Sequence, residues 1–368
     1  MLGCGVPWTK QRFSHSLPAS QPRYDSGRYF GAAIDKMIDD TLLVSCPGTA
    51  GGLFLVNGLT CRRLSSRPMT GLCIGDGQFT VAYQDNSGRS VRLFRDGAAE
   101  EKVLGDEPMD IHDVLLHGGR IYAAVTEQNK VVRFDVELNV ADAWVLPGEH
   151  DAAHLNSVVL YQDRLLASIF GRFQRHRQYK EGTQGLGEIV DIRSGLTFLS
   201  GLSQPHSLTV HDGLLFLCSS EDREIRAYCG QKLIQKTGVP GYARGLAVGS
   251  GKIYVGISLS RNAPVTEIGR DSAKIAVIDS SSWRVMEILE LPAHEIYDIR
   301  IVNRDAWVFP HIIDDSIDNR NRELQEEIRL YKRGYESYMA SHNAIVESLS
   351  WKIAKPVYRL ERLIRKLL

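Results

Sequence analysis

Residues 201–217 read GLSQPHSLTVHDGLLFL, and this stretch decides the fold. A short apolar run meets a His-Asp-Gly turn, and a second apolar run returns directly after it, which is how a hairpin of half-buried strands is written. The unit recurs as MTGLCIGDGQFTVAYQ from Met69, DIHDVLLHGGRIYAAVT from Asp110, HLNSVVLYQDRLLASIF from His154, ARGLAVGSGKIYVGIS from Ala243 and IYDIRIVNRDAWVF from Ile296. Registered on the residue ahead of each small-or-acidic plus aliphatic pair, the copies align Thr70, His112, Asn156, His206, Arg244 and Tyr297. The intervals are 42, 44, 50, 38 and 53 residues, the size of a four-stranded propeller blade.

Six registers predict an all-β, six-bladed β-propeller over 41–310, with an extension over 1–40 before it and a helical tail over 311–368 behind it; seven blades is the alternative count. Only about two strands follow the last register, whereas the β region opens with TLLVSC, GGLFLVNG and CRRLSS. Strands from the N- and C-terminal ends are therefore expected to unite in one blade, which closes the ring and removes free sheet edges. Either 42–46 or 305–309 supplies that blade's second strand.

Composition narrows the function. Among 368 residues, 44 Lys and Arg balance 44 Asp and Glu, so no basic field exists to hold nucleic acid by counterion release. The start, MLGCGVPWTKQRFSHSLPAS, lacks a signal-peptide pattern, and no run approaches the roughly 18 apolar residues of a spanning helix; a cytoplasmic location is expected. Six cysteines show no CxxC or CxxxC spacing, which reads as buried hydrophobes rather than a zinc ribbon or redox pair.

Because the first strand of each blade lines the channel, the six registered side chains are expected to converge at its mouth. Two imidazoles, a guanidinium, a phenol and an amide on one concave surface make a polar ligand site. His206 and His112 are the candidate bases, Arg244 the group that neutralises a substrate carboxylate, and Tyr297 a proton donor; Asn156, Thr70 and His154 are candidate binding residues. A divalent transition metal on His112, His206 and His154 is an alternative, since imidazoles suit such ions and none of the registered residues is acidic. Two polar loops between second and third strands carry Arg172, Arg175, Arg177 and Arg261, guanidinium forks suited to carboxylate or phosphate.

After Pro310 the alternation ends. Residues 314–347 read as a mostly polar helix with Leu324, Ile328 and Tyr331 three or four apart, and SLSWKIAKPVYRLERLIRKLL follows. There Ile353, Val357, Leu360, Ile364 and Leu367 share a helical face opposite a basic one. From Trp351 onward Lys352, Lys355, Arg359, Arg362, Arg365 and Lys366 face one acid, Glu361. Such a basic amphipathic helix, with Trp351 at its edge, is expected to contact an anionic membrane surface; Pro356 implies a kink or a helix beginning beside it.

Four segments, AHLNSVVL, GLSQPHSLTVHDGLLFL, GYARGLAVGSGKIYVGISLSRN and HEIYDIRIV, resemble an uncharacterised bacterial family built on a domain of unknown function, over roughly Thr41 to Val302. The resemblance implies a propeller-like β fold and no particular reaction. The final segment resembles the Ser-x-Ser-Trp-Arg-x-Thr-x-Pro-Leu-Arg ending of bacterial enzymes of surface-polysaccharide assembly, with Lys352 and Ala354 replacing the usual Arg and Thr. That likeness implies work in glycan biosynthesis at the inner face of the cytoplasmic membrane. The resulting expectation is a protein that binds an acidic, nucleotide-linked or lipid-linked sugar at the channel mouth, with lyase or epimerase chemistry beside the sugar carboxylate. Its alternative is a non-catalytic propeller scaffold that recruits glycosyltransferases to the membrane.

Overall fold

A computed structural model describes residues 40–75, 77–84, 90–95, 98–104, 109–135, 137–258, 272–303 and 308–367. Among them, strands β1–β24, numbered in chain order, form six four-stranded antiparallel sheets arranged as a six-bladed propeller. Blades 1 to 5 are β4–β7 (69–103), β8–β11 (111–145), β12–β15 (157–202), β16–β19 (205–238) and β20–β23 (242–291). The closing blade takes its inner strand, β24 (Asp298–Ile301), from late in the chain. Its other three are β1 (Thr41–Cys46), β2 (Gly52–Asn57) and β3 (Thr60–Ser65). Residues 42–46 thus supply the second strand, pairing from Leu42–Ile301 to Ser45–Asp298.

Each blade presents apolar side chains to its neighbours, and six apolar layers result, one at each interface. Leu42, Val44 and Phe54 of the closing blade meet Tyr254, Ile275 and Val277 of blade 5, for example, and Leu208, Leu215 and Leu217 of blade 4 meet Leu166, Ile189 and Leu199 of blade 3. The outermost strands lose this pattern, β19 (Lys232–Gly238) being exposed along most of its length. Strands in the middle of a blade are buried on both faces, so TLLVSC and RIYAAV read as nearly continuous apolar runs.

Around the axis every interface is also bridged by polar bonds. Thr70 Oγ1 donates to the Ile111 carbonyl (2.6 Å) between blades 1 and 2. Asp113 accepts from Ser157 Oγ and the Val158 amide, both at 2.9 Å, and Ser157 Oγ accepts from the Leu208 amide (2.9 Å). Ser207 Oγ accepts from the Gly245 amide (2.8 Å), and Ser258 Oγ from the Ile296 amide (3.2 Å). Asp298 accepts from the Leu72 amide (3.2 Å), while Arg300 Nε donates to the Leu72 carbonyl (2.8 Å).

Beyond the ring, α1 (Val308–Glu347) and α2 (Leu349–Leu367) form a separate unit from about Ile313. The helix begins before the expected boundary at 310/311, because a proline in the first turn lacks only an amide that would have no helical partner. Pro356 lies inside α2, which runs through it. Residues 1–39 of the expected extension lie outside the described residues.

At Gly71 a Cβ would stand 2.5 Å from the Asp113 Cα, whereas at Gly75, in the same strand, it would meet nothing within 4 Å. Gly71→Ala is expected to cost about 2–3 kcal/mol in urea unfolding by forcing blades 1 and 2 apart, with Gly75→Ala within about 0.5 kcal/mol of the parent. Equal effects would show that the close approach carries no energetic weight.

Candidate functional site

The six registered residues stand where the repeat places them, at or just before the inner strands β4 (Met69–Gly75), β8 (Ile111–His117), β12 (Ser157–Tyr161), β16 (Pro205–His211), β20 (Tyr242–Gly249) and β24. In four of these strands the pairing slips beside the registered residue, at 69/72, 111/113, 206/209 and 243/246. Such bulges re-aim a side chain at the end of a sheet.

Two cavities follow from this arrangement. The inner one, about 10 Å³, has room for roughly a single water and is bounded by His112, Asn156, His206, Arg244 and Tyr297 above and by Asp113, Ser157, Ser207, Asp298 and Arg300. The outer one, about 270 Å³, is lined by Asp110, His154, Phe170, Arg177, Tyr179, Lys180, Gln204, His206, Tyr242 and Arg244. His206 and Arg244 border both.

Sequence reasoning named His154, Arg177, His206 and Arg244 and missed Asp110, Phe170, Gln204 and Tyr242 of the outer lining. Asp110, His154, Gln204 and Tyr242 each sit two residues before a registered residue. The signal was in the repeat. Asp110, His154 and Gln204 also share left-handed backbone, φ 46°, 47° and 51°, a conformation uncommon outside glycine that recurs here at equivalent places.

Asp151 organises one wall. Its buried carboxylate accepts from His154 Nδ1 (2.7 Å), Arg177 Nε (2.7 Å) and Tyr179 Oη (2.9 Å). Burial alone would raise its pKa, but these bonds outweigh it and hold the carboxyl below its ordinary range. Burial in turn pulls His154 down to about 4 despite the Asp151 hydrogen bond, and its ring packs on Phe170 and Tyr179, centroids 4.3 and 4.5 Å away.

His206 Nδ1 donates to the Gln204 carbonyl (2.9 Å), with Ser220 Oγ at 2.8 Å. Burial first, then the Arg244 charge, hold its pKa well below the ordinary imidazole range. At neutral pH the ring is uncharged, and with its proton on Nδ1 the lone pair lies on Nε2. His112 donates from Nε2 to Asp110 (3.0 Å), and its buried Nδ1 has no hydrogen-bond partner among the described residues.

Arg244 is 2% exposed. Its guanidinium lies over the Tyr297 ring, 3.5 Å from the centroid, and pairs through Nη1 with Glu295. Nε and Nη2 are buried with no hydrogen-bond partner among the described residues. Below it, burial and the Asp113 charge push Asp298 up to about 7 against the opposing pull of Arg300, which it holds at 2.8 Å.

Most of the other candidate residues are committed to partners within the fold. Thr70 lines neither cavity and serves the ring contact. Asn156 spends its amide on the His154 carbonyl (3.1 Å) and accepts from Ser168 Oγ (3.0 Å). Arg172 is drawn to Glu188, Thr197 and the Gly195 carbonyl, and Arg175 to Glu181, so neither reaches the cavity. Arg261 lies outside the described residues. His112, His154 and His206 do not converge as metal ligands: no group of three His, Cys, Asp or Glu side chains suited to an ion occurs among the described residues. Phe170 packs against both His154 and His206, 4.3 and 5.2 Å between centroids, and His154 Nδ1 is committed to Asp151.

Residues 102–310 match the family described as a domain of unknown function (DUF4915), and the chain belongs to that family. No curated protein matches it. A protein of unknown function from Bacteroides caccae superposes with a TM-score of 0.52 at 12% identity, over 71% of this chain and 97% of that one. Virginiamycin B lyase from Staphylococcus aureus gives 0.43 at 13% identity over 69% and 85% of the two chains. Regucalcin, a calcium-binding protein from Agrobacterium tumefaciens, gives 0.44 at 13% over 62% and 76%. At such identities the likeness is one of fold.

The buried imidazole gives the mouth a pH signature. With a folded pKa near 4 against the ordinary 6.5, His154 contributes stability that is complete above about pH 6.5 and lost as the pH falls toward 4. Asp298 works in the opposite direction between about 7 and 3.8, so a variant must isolate the imidazole. In urea unfolding at pH 7 and pH 4.5, His154→Gln is expected to lose about 2.5 kcal/mol less on acidification than the parent; equal losses would rule out the desolvated ring.

Proposed function

We propose that the outer cavity binds a small acidic ligand, an acidic sugar or the acidic part of a nucleotide-linked or lipid-linked sugar, as part of bacterial glycan biosynthesis. The observation that carries the reading is Arg244, a buried guanidinium bordering both cavities with two nitrogens that no described residue satisfies. A buried charged donor left unmet costs several kcal/mol, and a carboxylate or phosphate is its natural complement. Arg177 and Lys180 add positive charge on the cavity wall, while Phe170, Tyr179 and Tyr242 offer aromatic surface to the apolar face of a sugar ring. At about 270 Å³ the space is at the small end for ligand pockets, which favours a monosaccharide unit.

The same groups support proton transfer beside a bound carboxylate. Arg244 would draw charge toward the carboxylate, and the Nε2 lone pair of neutral His206 would take the adjacent proton. The carboxylate itself would raise the basicity of that imidazole toward neutrality. Tyr297, which borders the inner cavity beside His112 at 5.3 Å between centroids, is the group we assign to return a proton, giving lyase or epimerase action.

Calorimetric titration with uronic acids and nucleotide sugars tests the reading. Saturable binding of an acidic sugar, no binding of its neutral counterpart, and roughly 100-fold weakening by Arg244→Ala and by His206→Ala are expected. Indifference to every acidic sugar, with capture of a partner enzyme instead, would transfer the function to the scaffold alternative.

For the tail, we propose that α2 rests on the inner, anionic face of the cytoplasmic membrane. Ile353, Val357, Leu360 and Ile364 are all exposed and recur three or four apart, opposite Lys352, Lys355, Arg359, Arg362 and Lys366. No helix among the described residues is long and apolar enough to cross a membrane. A chain truncated before Trp351 is expected to stop co-sedimenting with vesicles rich in anionic lipid, while the full chain binds and is released by salt. Equal binding by both chains would refute the contact.

A further inference from the structure

We infer that α1 pairs with α1 of a second copy as a parallel two-stranded coiled coil. Asn321, Leu324, Ile328, Tyr331, Tyr335, Tyr338, His342 and Ile345 follow one another at steps of three, four, three, four, three, four and three residues, the a and d positions of an uninterrupted heptad repeat. Every one of these side chains is exposed, Ile328 at 54% and Tyr331 at 84%. Apolar residues in a single 3.5-residue seam over about 36 Å are not explained by a polar, solvated helix.

The occupant is another copy of the same helix because a flanking pair of charges complements itself. With Ile328 at a, Glu327 falls at g and Lys332 at e, both exposed. In a parallel, in-register pair each Glu327 faces Lys332 of the second copy, so two opposite-charge contacts form across the seam. Asn321 then occupies an a position and meets its own equivalent, the arrangement by which one buried amide selects two parallel chains in register. The opposite circumference carries Glu326, Arg329, Arg333 and Glu336, with Arg329 paired to Glu326 at 2.9 Å on the same helix; Leu330 is the single large apolar side chain there among the described residues, too little for a bilayer contact.

Light scattering and sedimentation of the full chain decide the matter. The expected mass is twice 41.1 kDa, falling to one copy in Ile328→Glu/Tyr335→Glu and staying at two in Ser337→Glu, on the outer face, with the thermal unfolding of the propeller unchanged in all three. Leu324→Cys is expected to crosslink to its own equivalent under oxidation beyond the level of the parent chain, as only the parallel register allows at that distance from the centre of the seam. A monomeric parent, a dimer indifferent to the double substitution, association that appears only when anionic vesicles are added, or absence of the crosslink would each overturn the proposal. Because none of these readouts involves the channel, they stand apart from the ligand titrations.

Discussion

A propeller's inner strands have one edge turned toward the axis, and the backbone groups along that edge have no neighbouring strand to bond with. Left unmet in a buried channel, each would cost about as much as a lost hydrogen bond. Here side chains and backbone of neighbouring blades meet several of them. Asp298 takes the Leu72 amide, Asp113 the Val158 amide, Ser157 the Leu208 amide and Ser207 the Gly245 amide. This explains why the residue after each registered position is Asp, Ser or Gly: short acceptors reach across, at Gly71 the backbone of the next blade comes close, and at Gly245 the side chains of Ile296 and Ile299 do.

That requirement divides the polar residues of the channel into two populations. Thr70, Asn156, Asp113, Ser157 and Ser207 are consumed by the ring or its flanks, so their polarity reports on architecture. His112 and Arg244 keep buried nitrogens that the ring does not use, and the strained backbone at Asp110, His154 and Gln204 lies in the tier directly outside them. A folded chain tolerates such costs where a ligand offsets them. Desolvation then sets the chemistry, since the burial that leaves Nε and Nη2 of Arg244 without a hydrogen bond among the described residues also keeps His154 and His206 neutral at pH 7.

Much of this was legible in the sequence, and the boundary between what was and was not has a physical cause. Blade number, closure by strands from both ends and the convergence of His112, His206, Arg244 and Tyr297 followed from a repeat whose period and turns are local. The tier at Asp110, Gln204 and Tyr242 stands two residues ahead in the same register, but the left-handed backbone that turns Asp110 and Gln204 is not visible in an alternation of apolar and polar residues. Asp151 carries no such mark. It acts through three partners that are 3, 26 and 28 residues away, and only the folded loop shows that Arg177 turns inward while Arg172 and Arg175 find acids elsewhere. Loop charge is weak information, since a guanidinium goes to whichever carboxylate the fold brings nearest.

The tail shows the complementary case, in which periodicity carries two messages within one helical segment. In α2 the apolar residues follow a broad stripe with basic residues opposite, whereas in α1 a seam from Asn321 to Ile345 keeps a three-four alternation with Glu327 and Lys332 at its flanks. The first pattern suits a surface that is continuous and fluid, and the second suits a rigid partner of the same pitch. Adsorption by one amphipathic helix is reversible, because a handful of buried side chains competes with the entropy of release. In a parallel pair both copies of α2 leave the same end of the coiled coil, so once one is adsorbed the other is held at high effective concentration beside the bilayer. On these two proposals residence on a membrane would scale more steeply than the number of basic residues, and the seam in α1 would be the element that decides it.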